Sequence, residues 1–356
     1  MKTVASYNKV GYHREKIKSY LNGDIVFPVT LELDITSRCT RKCRDCPSSR
    51  SEFQHDLPFQ FVVNLIDSFE GQTKGLLLTG GEPTLSPLFP SVLKLAREKG
   101  FRDIAVVTNG SLLHEKHVID ALLSFASTIR ISIYDWDDES CGGIDPVLKR
   151  IENLSKLIDS SNSKLKIGIS ALTSSTRSDK LQGLSESVRN AGAHWIYFHP
   201  MCSGWNDGHL VQLDQQGVMD AIEVYKSQLL NGFEVFVSKS RYVDTPIHFS
   251  SYHAAHFLMI MGADCKNYLG AEVKYQDRYV LADLSDHDWH NSFIGNENRL
   301  NWIRNINDRN YTAINSRHRG VLYNDFIEKI ILGAVAIEES VKPGEEIEEF
   351  WFPHIL

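Results

Sequence analysis

The chain has six cysteines in 356 residues, and half of them stand in the stretch CTRKCRDCP, at positions 39, 43 and 46. Thiols so close on one loop can converge on one centre. A structural zinc site normally closes with four ligands, and no fourth is evident nearby. The CRDC segment has the spacing of a redox pair, but that reading leaves Cys39 unexplained. Three thiolates on a 4Fe–4S cluster leave one iron open to a substrate or cofactor. Spacing alone keeps both the cluster and zinc open.

Charge and composition narrow the setting. Lys and Arg total 38 against 45 Asp and Glu, a net of −7, which argues against a protein that coats nucleic acid. The opening residues carry no long apolar run, and no stretch approaches the roughly 18–20 apolar residues that cross a bilayer. The expectation is a soluble, cytoplasmic chain with no membrane partner. Thiols stay reduced in that compartment, so a tight cysteine cluster speaks for metal or redox chemistry rather than disulfides. No repeat or low-complexity segment is visible.

The elements that must position the cysteines alternate. Strand-like runs at 29–36, 75–81, 103–110, 128–135, 164–172 and 194–200 are each followed by an amphipathic stretch or, for the last, by a change of pattern. Such strand–helix units demand a parallel sheet with right-handed crossovers. In the first strand Val29, Leu31, Leu33 and Ile35 share one face, and Thr30, Glu32, Asp34 and Thr36 share the other. In the fourth, Ile129, Ile131 and Ile133 oppose Arg130, Ser132 and Tyr134. A sheet buried on both faces by helices should read as continuously apolar. One polar face instead suggests a sheet that curls around a wet, functional interior. The expected fold is α/β: a partial (β/α)6 parallel barrel, with a smaller α+β C-terminal region capping the mouth. Residues 1–28 read as an N-terminal helical arm, 29–210 as the core and 211–356 as the capping region. The latter holds a helix beginning at 215, a hairpin in AEVKYQDRYVLAD and helical segments near 297–306 and 322–337. Ligands in parallel α/β folds bind at the carboxyl ends of the strands, where the cysteine loop lies.

The ends of the next strands carry TGGEP, VTNG and RISIYD. Together with CTRKCRDC these closely resemble the radical S-adenosylmethionine (radical SAM) superfamily over roughly residues 29–202. The resemblance implies that Cys39, Cys43 and Cys46 ligate three irons of one 4Fe–4S cluster, with S-adenosylmethionine (SAM) chelating the fourth. It implies that Gly80, Gly81 and Glu82 present backbone to the methionine amino group, glycine allowing the close approach. Asn109 and Ser132 would face the ribose and the methionine carboxylate. The backbone at Ile169–Ala171 and at Phe198–His199 would flank adenine. Many members place an aromatic residue just before the last cysteine; here that position is Asp45, whose backbone alone would reach adenine. The implied chemistry is reductive cleavage of SAM to a 5′-deoxyadenosyl radical that abstracts hydrogen from an unactivated C–H bond. A flavodoxin- or ferredoxin-type electron donor is the implied partner, and a closed cavity would shield the radical.

The stretch CKNYLGAEVKYQDRYVLAD resembles the cysteine–hairpin–cysteine opening of the auxiliary-cluster extensions called SPASM and twitch. Its first position is Cys265, but Asp283 stands about where the second cysteine belongs. Only Cys141, Cys202 and Cys265 remain outside the motif, too few for an all-cysteine second cluster. The region therefore reads as a degenerate SPASM-like hairpin without metal. Cys265 is either a buried small hydrophobe or a thiol that returns a hydrogen atom to a substrate radical, as in a radical SAM epimerase. Cys202 is a second candidate for that role and Cys141 the weakest.

The substrate is less legible. His248, His253, His256, His287 and His290 match no zinc spacing and read as ordinary helix and loop histidines. Arg317, His318 and Arg319 would suit a phosphate or carboxylate, or form a solvated basic turn. Glu32, Asp34, Tyr134, Trp195 and Tyr197 would suit a hydroxyl-rich small molecule: a sugar, an aminocyclitol or a nucleotide-linked compound. The rival readings are radical modification of a ribosomal peptide, a redox-neutral rearrangement or elimination, and a non-catalytic Fe–S or zinc regulatory protein.

Overall fold

The structure, a computed structural model, describes residues 7–43, 46–51, 54–134, 143–173, 179–200, 202–203, 209–210, 215–228, 232–237, 239–242, 247–285, 293–311, 319–337 and 352–356. After a 3-10 turn at Tyr7–His13 and helix α1 (Arg14–Leu21), the alternation runs as its periodicity predicts. It comprises β1 (Thr30–Asp34), α2 (Phe59–Ser68), β2 (Gly75–Thr79), α3 (Phe89–Glu98), β3 (Asp103–Thr108), α4 (Lys116–Phe125), β4 (Thr128–Ile133), α5 (Asp145–Ser161), β5 (Lys166–Leu172), α6 (Asp179–Asn190) and β6 (Trp195–His199). The helices α2 to α5 each bury one stripe. In α3, Phe89, Val92, Leu93 and Ala96 recur at helical spacing on the buried side, with a proline in the first turn where its missing N–H costs nothing.

Residues beyond 210 extend the same sheet, a finding that the strand-like spacing up to 200 does not foretell. A short hairpin of β7 (Cys202–Ser203) and β8 (His209–Leu210) precedes α7 (Gln215–Gln228). Strand β9 (Glu234–Val237) then pairs parallel with β6. Strand β10 (Leu258–Met261) pairs parallel with β1 at the opposite edge. A hairpin of β11 (Lys266–Tyr268) and β12 (Val280–Asp283) continues that edge antiparallel. Helices α8 (Glu297–Asn305) and α9 (Arg319–Ile331) complete the described elements. The strand order is β12-β11-β10-β1-β2-β3-β4-β5-β6-β9. The expected hairpin is thus real but shifted: its first arm is Lys266–Tyr268, while Ala271–Val273 forms a 3-10 turn within its long loop.

The odd-numbered face of β1 joins the helix-side core with Leu76, Ile104, Ile129, Ile167 and Ile196. A second core buries Val10 and Ile17 of the N-terminal arm against Val29, Phe257, Val321 and Ile327. The sheet curls. Arg130 on β4 lies in electrostatic reach of Glu32 on β1 and Tyr197 on β6, whereas a flat sheet would put β1 and β4 roughly 14 Å apart. At the amino ends of the strands residues 352–356 cover the opening: Thr30 Oγ1 donates to the His354 carbonyl at 2.6 Å and accepts from the Leu356 amide at 2.9 Å.

One expectation is corrected here. Beside β1 the polar face is not wet: Thr30, Asp34 and Thr36 are 0% exposed and Glu32 is 3% exposed. Side chains from beyond residue 270 fill that part of the interior, because buried carboxylates hold their charge only when cations and donors come with them.

Candidate active site

The loop that leaves β1 is pinned on both sides before it reaches the cysteines. On one side Ser37 N donates to the His55 carbonyl at 2.9 Å, and Arg38 forks onto the Asp56 carboxylate at 3.1 and 3.2 Å. On the other side the Gly81 amide donates to the Thr36 carbonyl at 2.9 Å and the Glu82 amide to the Arg38 carbonyl at 2.7 Å. The two glycines are required by this approach. A Cβ at Gly80 would lie 2.2 Å from Thr36 O, and one at Gly81 would lie 2.1 Å from Arg38 O. Gly80 also has φ +125°, which L side chains rarely adopt.

Glu82 is a buried hub rather than a surface ligand. Its Oε1 accepts from Thr84 Oγ1 and Thr108 Oγ1, each at 2.6 Å, and from the Thr84 amide at 3.2 Å. Its Oε2 accepts from the Asn109 amide at 2.7 Å. One carboxylate thus ties the ends of β2 and β3 together. Asn109 completes the circuit back to the cysteine loop, its Nδ2 donating to Thr40 Oγ1 at 3.0 Å and approaching Cys39 Sγ at 3.6 Å.

Cys39 is exposed and Cys43 and Cys46 are half-buried, and none of the three is in a disulfide. Desolvation raises the Cys39 thiol above its ordinary pKa, and the neighbouring Glu82 and Cys46 add to the rise. Among the described residues no three His, Cys, Asp or Glu side chains converge on a single ion. An all-thiolate set of three on one loop suits three irons of one cluster. Bound there, a 4Fe–4S cluster would be held by Cys39, Cys43 and Cys46.

The other anticipated positions fall on the strand ends, with distinctions that parity settles. Ser132 is on the interior face and Ser170 lies directly across from it on β5. Ser170 Oγ in turn meets His199 Nε2 at 2.9 Å. Burial pulls His199 down to about 3, with Arg241 and Arg130 adding to the effect, so its ring is neutral. Ile169, Ala171 and Phe198 point into the helix-side core, leaving only their backbone toward the interior. The interior side chain of that stretch is Ser170, which sequence reading passed over although strand parity alone assigns it. Tyr134, raised by burial, lies in electrostatic reach of Cys43 and Cys46.

Cys265 sits in the turn between β10 and β11 at the cysteine-loop end of the sheet, with φ +62°. It packs against the helix-side cluster that contains Met261 and Leu284. Burial pushes its thiol up to about 11, with Asp264 and Asp283 contributing. Asp283 is opposite Lys266 in the hairpin register, and its Oδ1 accepts from Ser285 N and Oγ at 3.0 and 2.7 Å. Cys202 is described only as a strand position, in β7. Asp45, Cys141, His287, His290, Arg317 and His318 lie outside the described residues. Of the other histidines, His248 meets Asp308 Oδ2 at 2.6 Å, His253 meets Tyr20 OH at 2.6 Å, and His256 packs on the Tyr20 ring.

Sequence reading missed Lys274 and Tyr275, which fill the interior beside β1, and singled out Arg319 for a phosphate or carboxylate without its partner on β1. Lys274 Nζ donates to Asp34 Oδ1 at 2.7 Å and lies 3.5 Å from Glu32 Oε1. Tyr275 OH donates to Asp34 Oδ2 at 2.9 Å, and Thr79 Oγ1 donates to Asp34 Oδ1 at 2.5 Å. Arg319 pairs with Glu32 Oε2. Burial alone would push Glu32 up; Arg319 and Lys274 overcome it and hold the carboxyl below its usual range. Burial likewise opposes the charge on Lys274, but Asp34 and Glu32 outweigh it and raise its pKa. Tyr275 adopts φ +62°, a left-handed backbone costing about 1–2 kcal/mol, which its bond to Asp34 helps to hold.

Comparisons with known proteins agree with this geometry. The family model described as the radical SAM superfamily matches residues 33–179. A probable GTP 3′,8-cyclase of Sulfolobus acidocaldarius is 26% identical over 189 residues, covering 49% of this chain and 57% of that protein. The GTP 3′,8-cyclase of Psychromonas ingrahamii is 29% identical over 178 residues, covering 48% of this chain and 50% of its own length. The chain therefore spans about half the length of these relatives. In fold it is similar to Streptococcus suis SuiB, solved bound to S-adenosylmethionine, with TM-score 0.63, 14% identity, and coverage of 82% of this chain and 71% of SuiB. SuiB has also been solved bound to the precursor peptide SuiA, where the TM-score is 0.64 with 15% identity, covering 86% of this chain and 73% of SuiB. Enzymes of this family use a 4Fe–4S cluster and SAM, and residues 33–179, which hold the cysteine loop and the TGGEP and VTNG strand ends, are the part of the chain that matches the radical SAM superfamily.

Proposed function

We propose that this radical SAM enzyme abstracts hydrogen from a small polar substrate, a sugar, aminocyclitol or nucleotide-linked molecule, held inside the curled sheet. The observation that carries the reading is the polar enclosed side of the strands beyond the part that Lys274 and Arg319 fill: Arg130, Ser132, Ser170 and His199 lie there on β4, β5 and β6. Such a lining suits polar groups that must be desolvated and oriented before a reactive radical meets them. The two relatives named as GTP 3′,8-cyclases favour the nucleotide-linked member of the group. When bound, the cluster and SAM supply the 5′-deoxyadenosyl radical. This chain's residues orient the substrate and exclude water, and a flavodoxin- or ferredoxin-type protein supplies the electron.

A second reading, radical modification of a ribosomal peptide, draws on the fold likeness to SuiB. The hairpin from Cys265 to Asp283 we read as SPASM-like without metal. Epimerisation, with Cys265 returning the hydrogen atom, is the finest form of the first reading. A thiol kept protonated supports it, and packing of Cys265 on the helix-side cluster weighs against it. No helix among the described residues is long and apolar enough to cross a membrane.

The test is anaerobic reconstitution followed by SAM and a reductant. About four irons per chain and formation of 5′-deoxyadenosine are expected, and Ala at Cys39, Cys43 and Cys46 together should remove both. Turnover should then be stimulated by a nucleotide or sugar rather than by a peptide; stimulation by peptides alone would favour the second reading.

A further inference from the structure

The interior cations can be matched to counter-charges one by one. Lys274 has Asp34, Arg319 has Glu32, and Lys9 is faced by Asp103. Arg130 has no such match among the described residues. The carboxylate in its electrostatic reach is Glu32, already engaged by Arg319 and Lys274, and its neighbour Arg319 is a like charge. Its Nε is buried with no hydrogen-bond partner. A guanidinium does not escape by losing its proton, so it stays charged, half-buried and with no described carboxylate of its own.

A second donor is orphaned at the same place. In the sheet register Arg130 is opposite Gly168, and Gly168 is opposite Trp195. The Trp195 indole covers the glycine, its ring carbons 1.9–2.3 Å from where a Cβ would be. The indole therefore reaches from β6 toward β4. Trp195 is 3% exposed, and its Nε1 also lacks a partner. Arg and Trp side chains donate and do not accept. Two buried donors in one row without an acceptor define a place for an oxyanion.

We infer that Arg130 and the Trp195 indole N–H bind an oxyanion, a phosphate or carboxylate group carried by the substrate, so that the substrate is anionic. This rests on the reading of the interior as the substrate chamber. Ser132, at the strand end, is two residues further along β4 than Arg130, so the anion lies deeper than the position expected for SAM. The methionine carboxylate of SAM is the other source of the same chemistry.

The reconstituted holoprotein, titrated with inorganic phosphate and acetate against chloride at matched ionic strength, tests this. Phosphate should bind, and Arg130→Gln should weaken it by about ten- to hundredfold, the usual worth of a hydrogen bond to a charged group. Trp195→Phe should weaken it less, and Arg130→Lys should restore part of it. Without phosphate, Arg130→Gln should melt no lower than wild type, since it removes a charge with no described carboxylate of its own; a lower melting point would overturn the inference. So would failure of the wild type to bind phosphate or acetate, or unchanged binding in Arg130→Gln. Loss of SAM affinity in Arg130→Gln would assign the residue to the SAM carboxylate and overturn it too. Absence of 5′-deoxyadenosine from wild type that still binds phosphate would instead sink the catalytic reading and leave the anion site standing.

Discussion

The amide of Glu82 donates to the carbonyl of Arg38 at 2.7 Å, so the residue after the double glycine holds the residue before the first cysteine. The glycine motif is therefore a support for the cysteine loop, beside the SAM-facing role expected of it from the sequence.

Gly81→Val should consequently cost more than SAM affinity. The new Cβ would lie 2.1 Å from Arg38 O and must push the loop aside. Iron content after reconstitution, measured beside SAM binding, should fall with it. Full iron with impaired SAM binding would return the glycine to a purely ligand-facing role.

Glu82→Gln keeps the shape but places a donor where four donors now point. Leaving one or two of them unsatisfied should lower stability by about 1–3 kcal/mol each. Denaturant unfolding measures this, and a loss below that range would mean the hub relaxes.

Lys274→Met leaves Asp34 and Glu32 short of a cation in a dry interior. Destabilisation of about 3–5 kcal/mol is expected. Adding Asp34→Asn should recover part of it, because the two residues share one interaction. Additive losses would show that the pair is not coupled.

Acid should weaken the fold through His256, held down to about 3 chiefly by burial, with Arg299 nearby. Its folded pKa lies below the unfolded value of 6.5, so the unfolded chain takes the proton first as pH falls. Stability is thus complete above about 6.5 and is lost on the way down, by about 1–2 kcal/mol between pH 7 and 5. His256→Gln should flatten that part of the profile; an equally steep profile would exclude the histidine.

Cys265→Ala should still form 5′-deoxyadenosine. If the thiol returns hydrogen, the variant stops making epimer, and wild-type product made in deuterium oxide carries one solvent deuterium at carbon. Product without that deuterium would leave Cys265 to packing.

The sequence by itself determined what is local. The cysteine loop, the TGGEP and VTNG strand ends, and the polar face of Glu32, Asp34, Arg130 and Ser132 follow from short spacings and the two-residue period of a strand. Strand β10 was hidden because LMIM is apolar at every position, and such a run cannot be told from a buried helix segment by periodicity. What only tertiary structure decided is which side chains fill the curl. Lys274 and Asp34 are 240 positions apart, and no local pattern reports a partner at that distance. Their pairing follows from the hairpin loop folding back over β1, where buried carboxylates require a cation. Arg130 shows the converse: its place on the interior face was legible, but that no described carboxylate is left to it appeared only in the folded structure.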